Sequence, residues 1–264
     1  MKVQSKTKDT GSAVAQDNKG RGGCSAAPTI TDKYARSDAH QLGKPIAKIK
    51  RELIIATFNV RTLNDTIITK SNTGSNIKHK LHQIIAGCEK NKIDIISIQE
   101  HRLKTTGNLQ YEKHGSWTLV HSNSTHDCHG VAILYNHKIS PIFVSVAHKS
   151  DRLIAMFLEG NPKKCIISAY APTEVADIKD KDKFYIDLND LILSIPPQTV
   201  IILNGDFNAR IGKDSHETTP GIIGGHCLHD ITNDNGRRLI DLCQTTKLVP
   251  AHSHFAHKPS RLCT

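Results

Sequence analysis

The sequence predicts an α/β fold in which mixed β-sheets are covered by helices. Short β-branched runs recur from residue 53 onward, helical-period segments separate some of them, and other runs follow one another directly as meanders. At 264 residues the chain has room for one large domain with a sizeable core, and residues 1–48 read as a tail in front of it.

That tail is rich in Lys, Ser, Thr, Gly, Ala and Asp, carries one aromatic residue, Tyr34, and shows neither strand nor helix periodicity. It cannot bury enough apolar surface to offset the entropy of ordering, so it is expected to be disordered. The basic run Lys44-Pro45-Ile46-Ala47-Lys48-Ile49-Lys50-Arg51 follows, readable as a solvated linker, a nuclear import signal or a phosphate contact. The domain then occupies residues 49–264. Seven strands are predicted in it, at 53–58, 93–98, 117–120, 130–135, 153–158, 165–170 and 199–204, each a β-branched or aliphatic run. Helical spacing puts Ile77, Leu81, Ile84, Ile85 and Cys88 on one face of residues 77–90, and Phe184, Leu188, Leu191 and Ile192 on one face of 181–194. A third helix is expected over 235–246, with Leu239, Ile240 and Cys243 inward and Arg237 and Arg238 solvated. Trp117 is assigned to the core, and residues 221–234, with their Gly and His, to a mobile surface loop, with a substrate-contacting insertion as the alternative.

Lys and Arg number 35 against 25 Asp and Glu, a net charge of +10, which favours polyanionic partners and nucleic acid first among them. Residues 1–50 hold ten Lys and Arg against four Asp, so +6 of that charge lies ahead of the domain, which is itself only mildly basic. Seven scattered cysteines, none in a CxxC pair, suggest free thiols and a reducing intracellular setting. The N-terminus has no apolar signal-peptide core and no apolar run is long enough to span a bilayer, so no membrane association is expected. The histidine clusters around His126 and His129, His226 and His229, and His252 and His254 lack the paired spacing of a zinc site and read as loop histidines.

The informative polar residues emerge just where apolar runs stop. Asn59 follows the first run, Glu100 the second, Tyr170 ends the 165–170 run, and Asp206 with Asn208 follows the last. Side chains placed this way project from a rigid scaffold into a cleft. Singly, each has an ordinary reading: Asn204-Gly205-Asp206 as a turn, Glu100 as a surface residue, Tyr170 as a half-buried strand aromatic. Together they are tools for phosphodiester hydrolysis. Carboxylate and amide oxygens suit Mg²⁺, a phenol can donate to a phosphate, and an Asp/Asn pair can orient a water.

The strings Thr57-Phe58-Asn59-Val60-Arg61, Ile98-Gln99-Glu100-His101-Arg102, Ser168-Ala169-Tyr170-Ala171-Pro172-Thr173 and Asn204-Gly205-Asp206-Phe207-Asn208-Ala209 resemble, in order, four motifs of the endonuclease/exonuclease/phosphatase family. Tyr170-Ala171-Pro172-Thr173, Asp151-Arg152-Leu153-Ile154 and the stretch from Asn235 to Cys243 look most like non-LTR retrotransposon endonucleases of the RTE/BovB type and proteins of the craniofacial development protein 2 group. The resemblance covers about residues 50–262. It implies a DNase I-like four-layer α/β sandwich, two mixed sheets packed together with helices outside. It also implies Mg²⁺ (or Mn²⁺) bound by Glu100 with support from Asn59, and DNA as substrate, with a reverse transcriptase encoded downstream in such elements. Tyr170 is expected to contact the scissile phosphate, Asp206 to orient or deprotonate the attacking water, Asn208 to hold the site, and Arg61 and Arg102 to neighbour the phosphate. Nuclear location follows from that function.

In the family an Ile-Asp-Tyr-like segment and a Ser-Asp-His segment follow, and neither string occurs here. The fold is accordingly expected to lack its last strands and the chain to be impaired as a nuclease, since a positioned acid–base group contributes about 10²–10⁴ in rate. The alternatives are a catalytically dead nucleic-acid-binding or interaction fragment and, within enzymes, an inositol or lipid phosphatase.

Overall fold

The computed structural model describes residues 52–64, 79–125 and 129–256. The tail expected to be disordered, the whole basic run 44–51, and residues 77–78 of the first predicted helix lie outside them. Nine strands among the described residues form two sheets. β1 (Ile55–Asn59), β2 (Ile95–Gln99), β3 (Leu109–His114), β4 (Trp117–Ser122) and β5 (Val131–Asn136) lie in the order β1-β2-β5-β4-β3. β6 (Phe143–Ser150), β7 (Leu153–Leu158), β8 (Lys164–Tyr170) and β9 (Val200–Asp206) lie in chain order in the second sheet. β1–β2 and β8–β9 are parallel pairs and the others antiparallel, so both sheets are mixed as expected. The helices are α1 (His79–Lys90), α2 (Ile178–Leu193), the short α3 (Lys213–Thr218) and α4 (Asp234–Thr246).

Strand side chains alternate between two faces, and here both faces of the central strands are covered. Ile154, Met156, Leu158 and Ile166 enter one core with Ile95, Val131 and Ile133, filling the space between the sheets. Their neighbours Leu153, Ala155, Phe157, Cys165 and Ile167 face the other way, onto Phe184, Leu188 and Leu191 of α2 and Leu239, Ile240 and Cys243 of α4. In the first sheet Ile96, Ile98, Ala132 and Leu134 turn outward onto Leu81, Ile85 and Cys88 of α1, with Trp117 buried among them. Four layers result: α1, the first sheet, the second sheet, and α2 with α4.

β3 and β6 were not expected, and both are edge strands. β3 mixes half-buried with exposed residues, and in β6 only Ser145 is exposed while the rest are half-buried, so neither shows a long apolar run. The loop 221–234 is anchored, where mobility was expected. Ile223 is fully buried, the Gly224 amide donates to Ser253 Oγ at 2.9 Å, and the His226 amide donates to Ser253 O at 2.9 Å. Arg238 is likewise paired, donating to Asp234 at 3.0 Å and Asp182 at 2.5 Å, which ties α4 to α2; Arg237 is exposed as expected. No helix among the described residues is long and apolar enough to cross a membrane.

Candidate active site

Parallel pairing puts the C-terminal ends of β1 and β2 side by side, and those of β8 and β9 likewise, with Asn59 opposite Gln99 and Tyr170 opposite Asp206. Stacking the sheets brings the two ends together. Asn59 is the joint: its Nδ2 donates to Glu100 Oε1 at 2.7 Å and to Asp206 Oδ2 at 2.9 Å, across 147 residues of chain. The Tyr170 hydroxyl donates to the same Glu100 Oε1 at 2.9 Å, and Arg102 donates to Glu100 Oε2 at 3.2 Å. The Asn208 amide donates to Asp206 Oδ1 at 3.0 Å. Four of the five expected catalytic and metal residues thus share direct hydrogen bonds, and Asn208 joins through its backbone.

Beneath them a polar bridge crosses the interior. Thr57 Oγ1 donates to Gln99 Oε1 at 3.1 Å, and Gln99 Nε2 donates to Ser168 Oγ at 3.4 Å, with Gln99 and Ser168 both buried. Alternation along β2 sends Ile96 and Ile98 toward α1 and Gln99 toward the second sheet, so Glu100 in extended backbone is aimed away from the site. Glu100 instead adopts φ 55°, and that left-handed turn brings its carboxylate back to Asn59 and Tyr170. Arg61, Arg102 and Asn208 also have positive φ, at 54°, 59° and 47°. Such residues cost of order 1–3 kcal/mol each and persist where surrounding contacts over-determine them.

Two glycines make the close approaches possible. Gly205 sits at φ 155° in β9, and a Cβ there would lie 1.9 Å from Ala169 O of β8, so any side chain would push Asp206 out of register with Tyr170. Gly236, in the first turn of α4, lets the helix lie on the loop after Asp206, where a Cβ would meet Arg210 O at 2.2 Å. That helix start is a clamp. Asn235 is fully buried and donates to Pro172 O at 2.9 Å. Asn233 donates to Asn208 O at 3.1 Å and accepts from the Arg210 amide at 2.8 Å and the Gly236 amide at 2.8 Å. Glu174 accepts from Asn233 Nδ2 at 2.9 Å and the Asp234 amide at 3.1 Å. The loops carrying Tyr170 and Asp206 are therefore held by one helix cap.

Burial alone raises the Glu100 pKa, but the hydrogen bonds from Asn59, Tyr170 and Arg102, with the Arg102 charge, outweigh it and hold the carboxyl below the ordinary glutamate value. Burial, and then the hydrogen bond and charge of Glu100, push the Tyr170 phenol far above the ordinary tyrosine value. Tyr170 is a protonated donor at any working pH. Glu100 and Asp206, two carboxylates converging on one amide, are hard oxygen donors that fit a hard divalent cation. Among the described residues no cluster of three or more His, Cys, Asp or Glu is placed to hold a metal. A donor set of two carboxylates suits Mg²⁺, which keeps several waters and takes substrate oxygens as well.

Arg102, expected as a phosphate neighbour, lays its guanidinium on Glu100. Arg61 is exposed two residues after Asn59, whose Oδ1 accepts its amide at 3.1 Å. Asn59 therefore turns its amide nitrogen, and not its oxygen, toward the carboxylates. Asn208 Nδ2 is committed to Ala171 O at 3.0 Å, so its side chain braces the Tyr170 loop. Gln99, Asn233 and Asn235 were given no site role from sequence, although each stands within or beside a quoted motif.

The sequence matches the Endonuclease/Exonuclease/phosphatase family over residues 56–246, which spans every residue of this constellation. The chain belongs to that family. It is 30% identical over 216 residues to craniofacial development protein 2 of Tragulus javanicus, covering 81% of this chain and 34% of that protein, and equally identical to the Bos taurus protein, covering 33% of it. The chain thus spans about a third of the length of these curated relatives. Among solved structures it is similar to an AP endonuclease from Archaeoglobus fulgidus, with TM-score 0.46 and 20% identity over 74% of this chain and 70% of the other. The endonuclease domain of TRAS1, a telomere-specific non-LTR retrotransposon, gives TM-score 0.40 and 12% identity over 62% and 64%.

Proposed function

We propose that this family member hydrolyses phosphodiester bonds in DNA as a Mg²⁺-dependent endonuclease. The observation that carries the reading is the Asn59 amide shared between Glu100 and Asp206, with the Tyr170 hydroxyl on the same Glu100 oxygen. Glu100 would hold the ion with Asn59 in support, and Mg²⁺ (or Mn²⁺) when bound supplies positive charge that offsets charge on the phosphoryl and leaving oxygens. Asp206, its second oxygen fixed by the Asn208 amide, accepts hydrogen bonds from the attacking water and orients it. Tyr170, held protonated, donates to a non-bridging phosphate oxygen as charge develops there. Arg61 and Arg102 add cationic charge beside the phosphate, and the basic residues of the chain draw in the polyanion.

A second reading has its own observation. Among the described residues neither Glu100 nor Asp206 takes a hydrogen bond from an imidazole. Without that acid–base group turnover falls by about 10²–10⁴, and the same surface then serves chiefly to bind nucleic acid. Supercoiled plasmid incubated with the purified chain and Mg²⁺ separates the two. Nicking that EDTA, Glu100→Gln and Asp206→Asn each abolish supports hydrolysis, salt-sensitive binding without nicking supports the binding module, and neither behaviour refutes both.

A further inference from the structure

Next to the carboxylate constellation lies a second set of polar residues. The guanidinium carbon of Arg152 stands 5.0 Å from the centroid of the Tyr170 ring. Arg152 NH1 donates to Tyr170 O at 3.1 Å, and the Tyr170 amide donates to Arg152 O at 3.0 Å, so the two residues are joined through backbone, side chain and ring face. Arg152 NH2 also reaches His129 Nε2 at 2.5 Å, and His129 Nδ1 lies 2.9 Å from Asp151 Oδ2.

The chemistry of these partners fixes where the protons are. Arginine has donors only and stays charged, so His129 Nε2 is the acceptor and carries no proton. The single proton of the neutral ring is then on Nδ1, where it is donated to Asp151. Asp151 also accepts from Thr125 Oγ1, and burial, which would raise its pKa, is outweighed by the hydrogen bonds from His129 and Thr125 and by the Arg152 charge, which hold it below the ordinary aspartate value. The His129 and Asp151 side chains are only 13% and 17% exposed, so water competes weakly for these bonds. The His129 carbonyl accepts from the Arg102 amide at 3.2 Å and from Ser124 Oγ at 3.0 Å, which ties the His129 backbone to the loop that carries Glu100.

We propose that Asp151, His129 and Arg152 form a positioning relay for Tyr170, in which the Nδ1–H tautomer of His129 presents an acceptor that holds the Arg152 guanidinium over the tyrosine ring. A phenol whose ring face and backbone are both fixed can aim its hydroxyl without reorganisation, which is what electrostatic stabilisation of a developing charge requires. The three are positioning residues, since each acts through another group. The role given to Tyr170 rests on the hydrolytic reading above; the relay itself does not.

Two experiments keep these apart. In ¹⁵N-histidine spectra at neutral pH, with the His129 signals assigned by their loss in His129→Gln, Nε2 is expected to carry no proton and Nδ1 to carry one. A protonated Nε2 overturns the relay whether or not the chain cuts DNA. The ¹³Cζ resonance of Tyr170, assigned with Tyr170→Phe, is expected to move in His129→Phe and Arg152→Gln but to stay in His129→Gln, whose amide offers a donor and an acceptor at the spacing of the ring nitrogens. No movement in the first two variants also overturns it. If the chain nicks plasmid, His129→Phe should lower kcat about tenfold at unchanged KM, His129→Gln should stay within about threefold of wild type, and the His129→Phe loss should vanish in a Tyr170→Phe background. A loss that persists there shows a general structural role and refutes action through Tyr170. Absence of nicking refutes the hydrolytic reading, with the two spectroscopic outcomes still deciding the relay.

Discussion

Asn59→Ala removes the one donor that two carboxylates share. The Glu100 and Asp206 oxygens it joins can be no farther apart than bonds of 2.7 Å and 2.9 Å laid end to end. Two unit charges about 5 Å apart repel by about 3 kcal/mol at an effective dielectric of 20, and relaxation of the two side chains leaves about 1–2 kcal/mol of that. Arg102 stays on Glu100 and softens it further. The variant should therefore lose about 1–2 kcal/mol at pH 7, which for a domain of this size is a fall in Tm of about 2–8 °C. The source of the loss is charge, so it is relieved by protonation or by a counter-cation. With the donor gone, Glu100 loses one of the hydrogen bonds that hold its pKa down, so the difference from wild type should narrow as the pH is lowered from 7 to 5. Millimolar Mg²⁺ should narrow it at pH 7. Urea melts of both proteins at the two pH values, with and without Mg²⁺, measure this. An equal loss under all four conditions would refute the charge argument and leave Asn59 as a packing residue.

Other perturbations test the scaffold around these groups. Gly205→Ala forces a Cβ to 1.9 Å from Ala169 O and should destabilise by about 2–4 kcal/mol in urea melts, with nicking lost even where the fold survives at low temperature. Asn235→Ala takes a fully buried donor from Pro172 O and should lower stability by about 1–3 kcal/mol while reducing nicking by more than the unfolded fraction accounts for, because two site-bearing loops share that cap. The Asp151 pKa lies at about 2, below its unfolded value of 3.8, so the group stabilises the fold above the unfolded value and loses that contribution as pH falls through the folded one. The stability gap between wild type and Asp151→Asn, about 1–2 kcal/mol near neutral pH after solvent screening, should close between about pH 4 and pH 2; a gap that stays open at pH 2 contradicts the assignment.

The strands at 153–158 and 165–170 were legible because alternate residues feed two different cores, which leaves a continuous apolar run. β3 and β6 were not, because an edge strand can be polar on one face and half-wet on the other. α3, Lys-Asp-Ser-His-Glu-Thr, has no apolar residue to give it a period. The placement of Asn59, Glu100, Tyr170 and Asp206 at strand ends could be read directly, since the run of β-branched residues stops at each. What sequence could not supply is the backbone turn at Glu100, the bond from Arg152 to a tyrosine 18 residues on, and the clamp of Asn233 and Asn235. These depend on which loops meet in space, and neither propensity nor periodicity encodes that.

The two sheets are also consecutive in the chain, residues 55–136 forming the first and 143–206 the second, with a single 3₁₀ turn, His137–Ile142, between them. Asn59 and Glu100 come from the first half, and Tyr170, Asp206 and Asn208 from the second. The site is thus a logical conjunction of two halves, neither of which holds a usable fragment of it. Sliding or opening of the inter-sheet core disconnects Asn59 from Asp206 before any strand unravels, so site integrity reports on the docking of the halves and not on the folding of either.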